Sequence, residues 1–192
     1  PNDKARIVVQ EMTDLLVLDL VEKGLVTDQI VLHVGYDISN LKDPAIRKKY
    51  QGEIKTDSYG RQVPKHAHGT ANLGKMTSSA KHIIKEVTAL FDRIVNPDLY
   101  VRRVSLSANH ILDEKSVENK PSCEQLDMFT DYDEKAAKDR QQELADEKEK
   151  KLTHAMIDIK KKFGKNTILK GMNLQEGATA KDRNNQIGGH KA

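Results

Sequence analysis

Over residues 1–112 the spacing of apolar residues switches repeatedly between two periods, and this switching restricts the fold more than any other feature. Ala5, Val8, Val9, Met12, Leu15, Leu16 and Leu20 recur at steps of three and four, one face of a helix that Gly24 would close. Ile30, Leu32, Val34 and Tyr36 then alternate with Val31, His33, Gly35 and Asp37, the period of a half-buried strand. Alternation returns from His66 to Leu73, with Ala67, Gly69, Ala71 and Leu73 on one side and His66, His68, Thr70 and Asn72 on the other. Helical spacing resumes at Ile83, Ile84, Val87, Leu90, Phe91 and Ile94, opened by Ser78 or Ser79 as N-cap and stopped by Asn96-Pro97. A last strand from Tyr100 to His110 turns Val104, Leu106 and Ala108 inward and Arg103, Ser105, Ser107 and Asn109 outward.

The order helix, strand, long connection, strand, helix, strand predicts an α+β domain over residues 1–112. It would be a small, mostly antiparallel sheet with two helices on one face. Residues 39–65, carrying Asn40, Pro44, Gly52, Gly60, Pro64 and several charges, read as a basic excursion built around a hairpin. The sheet face away from the helices would be lined by His, Thr, Asn, Ser, Gly and Arg. Antiparallel sheets often leave one face in water, but this one lacks Glu, nearly lacks Lys, and favours short hydrogen-bonding side chains.

Beyond residue 112 the globular pattern stops. Residues 113–132 read as a polar linker and residues 133–163 as a charged helix. Within that helix Leu152, Ala155, Met156, Ile159 and Phe163 form an apolar stripe, expected to dock on another part of a larger protein or on a partner. Residues 164–192 have little to bury and are expected to form a flexible, irregular tail. This division accounts for the composition, which at 37% hydrophobic, 4% aromatic and 32% charged is too polar to be all core. Residues 1–112, 113–162 and 163–192 carry net charges of +3, −3 and +3, compatible with a nucleic-acid partner without demanding one.

Several function classes drop out. Leu15-Leu16-Val17-Leu18 is closed by Asp14 and Asp19, far short of a membrane span, and no basic–apolar–small signal segment opens the chain. The single Cys123 excludes an internal disulfide framework and fits a reducing cytosol. His66 and His68 share a strand face that His33 or His110 could join, but no Cys or carboxylate repeats beside them at a ligand spacing, so no metal site is assigned. No nucleophile elbow, Walker or dinucleotide motif is present, and no catalytic residue is assigned. The opening Pro, in place of Met, suggests a piece of a longer protein.

Two constellations carry chemistry. If the polar sheet face meets a duplex, His66, His68, Thr70, Asn72, Arg103, Ser105 and Ser107 can bond phosphates, with Lys65 and Arg102 adding charge. Gly35 and Gly69 would let backbone approach closely. Separately, Gln125, Leu126, Asp127, Met128 and Phe129 place an apolar cluster inside a hydrophilic segment that offers it no core. A Gln amide to orient and Leu, Met and Phe to fill a groove are the parts of a docking peptide.

Taken together, the stretches "QEMTDLLVLDLVEKGLVTDQIVLHVGYD", "VPKHAHGTANLGKMTSS", "RRVSLSANHI", "EQLDMF" and the ending "IKKKFGKNTILKGMNLQEGATAKDRNNQIGGHKA" resemble the C-terminal part of Y-family translesion DNA polymerases. The likeness is to the UmuC-like (ImpB/MucB/SamB) branch of Gram-positive bacteria and their mobile elements. The resemblance implies that residues 1–112 are most of the little finger, which lies against template–primer duplex through backbone contacts. It implies that residues 125–129 hold the bacterial sliding clamp, and that the parent acts in damage tolerance and the SOS response in the bacterial cytoplasm, at the nucleoid. The family's nucleotidyl transfer uses Mg held by palm carboxylates upstream, alongside finger and thumb domains; nothing here matches those carboxylates. The fragment is therefore expected to lack a cofactor and polymerase activity of its own. The family's little finger begins with a strand before its first helix, so an incomplete sheet is expected here. The alternative is a non-catalytic module that binds clamp or polymerase and regulates it.

Overall fold

The computed structural model describes residues 2–118, 132–187 and 190–191. The chain runs α1 (Asn2–Glu22), β1 (Leu25–Tyr36), α2 (Ser39–Lys42), α3 (Pro44–Lys49), β2 (Ile54–Thr56), β3 (Gln62–Pro64), β4 (Ala67–Thr77), α4 (Ala80–Ile94) and β5 (Val101–Asn109). There follow β6 (Leu112–Asp113), α5 (Glu114–Glu118), α6 (Tyr132–Phe163), a 3-10 turn at Gly171–Leu174, α7 (Ala180–Asn184), β7 (Gln186–Ile187) and β8 (His190–Lys191).

The fold is α+β, with the antiparallel sheet and two-helix layer that the alternating periods predict. β1 is the central strand, flanked by β4 and β5, and its first residues also pair with β6. Ile30, Leu32 and Val34 of β1, Val9 and Val17 of α1, and Ile83, Val87 and Phe91 of α4 are at most 1% exposed. They fuse into one core, each large side chain contributing roughly 1.5–3 kcal/mol by leaving water. Local signals close the elements: Gly24 adopts φ +65° after α1, and the Ser79 hydroxyl accepts the His82 N–H at the start of α4.

Gly69 belongs to this inner layer. A Cβ there would sit 2.9 Å from Leu90 Cδ1 and 3.3 Å from Ile94, so the glycine exists to let α4 lie close on β4. The expectation that it opens backbone to a ligand is corrected. Gly35, whose Cβ position would face Arg103 at 3.6 Å, does lie on the outer face.

The helix pattern of α1 gave one buried face, and the structure buries two. Val9, Val17, Leu20 and Val21 enter the core, with Thr13 buried between Val9 and Val17, while Glu11 and Asp14 are also buried, under the C-terminal segment. Leu15, assigned inward, is 38% exposed. The last turns of α6 pack on α1 through Met156 and Ile157, with Lys161 paired to Glu22 at 2.7 Å. The predicted stripe is therefore split: Met156 is buried, whereas Leu152 and Phe163 are each 63% exposed. What seats the helix is a face of mixed polarity, because Glu149 accepts from Ser79 Oγ (2.7 Å) and from the Lys81 N–H (2.9 Å), capping α4 from another helix.

Two boundaries also move. The chain does not leave the sheet at residue 112: β6 pairs with Leu25 and Val26, and the Glu114 N–H donates to the Gly24 carbonyl at 3.0 Å. The tail is irregular in path but docked along α1, where Ala180 is 4% exposed. Its anchor is Glu11, which accepts from the backbone N–H of Thr179 (2.9 Å) and Ala180 (3.0 Å), from Asn173 Nδ2 (3.0 Å) and from Arg183 Nη2 (3.1 Å). A segment with little apolar surface is held by a buried charge instead. Among the described residues no helix is long and apolar enough to cross a membrane.

Candidate nucleic-acid interface

The register of the three long strands assembles the outer face row by row. Gln29 lies between Asn72 and Asn109, Val31 between Thr70 and Ser107, and His33 between His68 and Ser105, while Gly35 faces Arg103. His66, Thr70, Asn72, Arg103, Ser105 and Ser107 thus come together on one surface, as alternation predicts, and no carboxylate stands in these rows. The amides at one end are already engaged: Gln29 Nε2 donates to Asn72 Oδ1 at 3.1 Å, and Asn109 Nδ2 donates to Gln29 Oε1 at 2.9 Å. The other end, with the imidazoles and Arg103, is where unspent donors collect.

His33 is the residue that a strand-by-strand reading undervalues. Its ring centroid is 4.3 Å from that of His66 and 6.2 Å from that of His68. Burial, then the neighbouring His66, His68 and Arg103, hold the His33 pKa below the ordinary histidine value. The unfolded chain then binds more protons than the folded one as pH falls from the ordinary histidine pKa to this depressed one, so stability falls over that window. Thermal unfolding between about pH 7 and pH 5 should show a declining midpoint, which His33→Gln flattens; an unchanged slope in the variant would remove His33 from this role.

Arg102 does not stand in the rows. The register passes from Gly35–Arg103 to Tyr36–Val101, leaving Arg102 as the extra residue of a bulge at the rim. Its Nη1 donates to Asp37 Oδ2 at 3.2 Å. Hydrogen bonds from Ser39, followed by the Arg102 contact, hold the Asp37 carboxyl below the usual range. Fully buried Asn40 fastens this corner, donating to the Asp37 and Tyr100 carbonyls at 2.8 and 3.0 Å and accepting the Tyr100 N–H at 2.8 Å. Lys65 also lies off the face, paired to Glu53 at 2.7 Å beside the hairpin of β2 and β3.

That hairpin confirms the turn signals of residues 39–65, though α2 and α3 precede it where no helix was expected. It stands over the imidazole end of the sheet. Lys55, Tyr59 and Arg61 share a cleft of about 390 Å³ with His33, His66 and Arg103. Long-range placement of the loop, rather than any residue pattern, brings these groups to the face.

The pentapeptide Gln125–Phe129 lies outside the described residues. Among the described residues no three His, Cys, Asp or Glu side chains are grouped to hold a metal ion. The model for the impB/mucB/samB family C-terminal domain matches residues 2–128. Curated proteins and solved structures yielded no match.

Proposed function

The chain belongs to the impB/mucB/samB family, whose C-terminal domain it carries, and on that premise we propose that it is the DNA-holding and clamp-tethering end of an error-prone translesion polymerase. The outer sheet face lies along template–primer duplex and holds phosphates through Arg103, the imidazoles of His66 and His68, and the hydroxyls of Thr70, Ser105 and Ser107. Contacts of this kind grip without reading sequence, which suits a polymerase that must accept damaged template. Residues 125–129 dock on the sliding clamp and raise the local concentration of the enzyme at a primer end. Catalysis, with its Mg, belongs to the upstream palm.

The observation that carries this reading is the outer face itself: strand rows that hold no carboxylate, built of short hydrogen-bonding side chains, with Arg103 exposed at the basic end. Arg103→Ala should weaken binding to duplexes of unrelated sequence alike and make the salt dependence shallower by about one ion released. Fluorescence anisotropy on two duplexes over a salt series measures both. A loss confined to one sequence, or an unaltered salt slope, would contradict backbone recognition by this face. Arg102→Ala should act less strongly, because its guanidinium is already shared with Asp37.

A further inference from the structure

We propose that the cleft between the β2–β3 hairpin and the sheet is a single-strand site, in which Tyr59 stacks on an unpaired base while Lys55 and Arg103 meet its phosphates. The proposal rests on the DNA-binding reading for its choice of anion; the cleft shares Arg103 and His66 with the sheet face and adds Lys55 and Tyr59, which a duplex lying on the sheet would not need.

The hairpin tip is built to hold an aromatic ring out. Asp57 Oδ1 accepts the Tyr59 and Arg61 N–H groups, both at 2.9 Å, and Oδ2 accepts Arg61 Nε at 2.9 Å. Gly60 supplies the left-handed φ of +74° that the turn requires. So fixed, the Tyr59 ring is 81% exposed, with the Arg61 guanidinium 4.9 Å from its centroid. Arg61 occupies one face and the other is open to a planar partner. A rigid ring with two side-chain torsions loses little entropy on stacking, and the cation over its far side adds to a Tyr–base stack.

The electrostatics select an anionic partner. Asp57 is the only acid among the described residues that line the cleft, and it is spent on Arg61. Arg61 and Arg102 are paired with Asp57 and Asp37, and Lys55 only loosely with Glu53 at 3.8 Å; Arg103, which has no ion pair among the described residues, carries the net positive charge, with His33 and His66 on the floor. A volume of about 390 Å³ lies in the range of small-ligand clefts, of a size for a nucleotide. Stacking adds the decisive point: bases inside a duplex already have both faces covered, so an exposed ring beside a cationic cleft finds its complement in a base without a neighbour.

The test measures anisotropy of the full chain with labelled oligothymidylate, an abasic strand of equal length and a blunt duplex. Tyr59→Ala should weaken oligothymidylate binding about tenfold, Tyr59→Phe less than about twofold, and neither should change binding to the abasic strand. Equal losses on oligothymidylate and abasic strand, no loss on either, or no binding of oligothymidylate by the wild-type chain would each overturn the site. Failure of the wild-type chain to hold the blunt duplex would instead sink the sheet-face reading, and the Tyr59 result on single strands stands apart from it.

Discussion

Glu11→Ala is expected to cost about 3–5 kcal/mol of folding stability and to release the C-terminal segment from the domain. The Glu11 side chain is completely buried, and its carboxylate satisfies two backbone N–H groups at the start of α7, the Asn173 amide and the Arg183 guanidinium. Truncation leaves these donors, and the Thr179 hydroxyl that also reaches the carboxylate at 3.3 Å, without that acceptor in a place that water does not reach freely, and removing one member of a buried charged pair is costlier than the pair itself is worth. The neighbouring Lys170–Asp14 pair holds the same segment and should slow its release without replacing Glu11. Urea unfolding should show a lower midpoint, and limited trypsin digestion should cut first near Lys170 and Lys181. A tail that stays protected in the variant would show that Asp14 and α6 suffice to dock it.

Phe129→Ala is expected to weaken binding to a purified sliding clamp by at least about 30-fold, with duplex affinity kept within about twofold. The reasoning is compositional and chemical. Phe129 is the largest apolar side chain of a cluster set in a polar segment, and such anchors carry most of a peptide's binding energy when they fill a pocket. Gln125→Ala should cost less, since it removes an orienting hydrogen bond rather than a buried ring. Calorimetry with the clamp, beside anisotropy with duplex, separates the two activities. Clamp affinity unchanged in Phe129→Ala would end the tether assignment while leaving the DNA face standing.

The outer sheet face was legible before any coordinates because a strand's two-residue period assigns each side chain to a side without reference to anything distant. His66, His68, Thr70, Asn72, Arg103, Ser105 and Ser107 follow from that rule alone. Arg102 did not, because a bulge breaks the period by one residue and nothing local announces it. Lys65 was placed by its charge, yet it pairs with Glu53 on the hairpin stem. Tyr59 and Arg61 were invisible as site residues, since turn chemistry foretold a hairpin but not the face it would overhang.

The apolar stripe of α6 shows the same limit from the other side. Periodicity ranked Leu152 and Phe163 with Met156, yet the helix is seated by Glu149 on the α4 N-terminus and by Ile157 on α1. A helix in a charged segment docks where its charges find partners, and hydrophobic spacing carries no information about those partners.

By itself, then, the order of residues determined the α+β class, the central strand's buried side, an N-cap at Ser78 or Ser79 and the composition of the outer sheet face. These depend on interactions within a few residues and on the geometry of helix and strand. Only the tertiary structure decided that α1 would be buried on two sides, that a polar tail would close over Glu11 from 168 residues away, and that a hairpin would hang Tyr59 beside His33 and Arg103. The physical reason is that a carboxylate, a guanidinium or a lone ring looks solvated in any local window, and becomes a structural or binding group only when distant chain removes its water or completes its cleft.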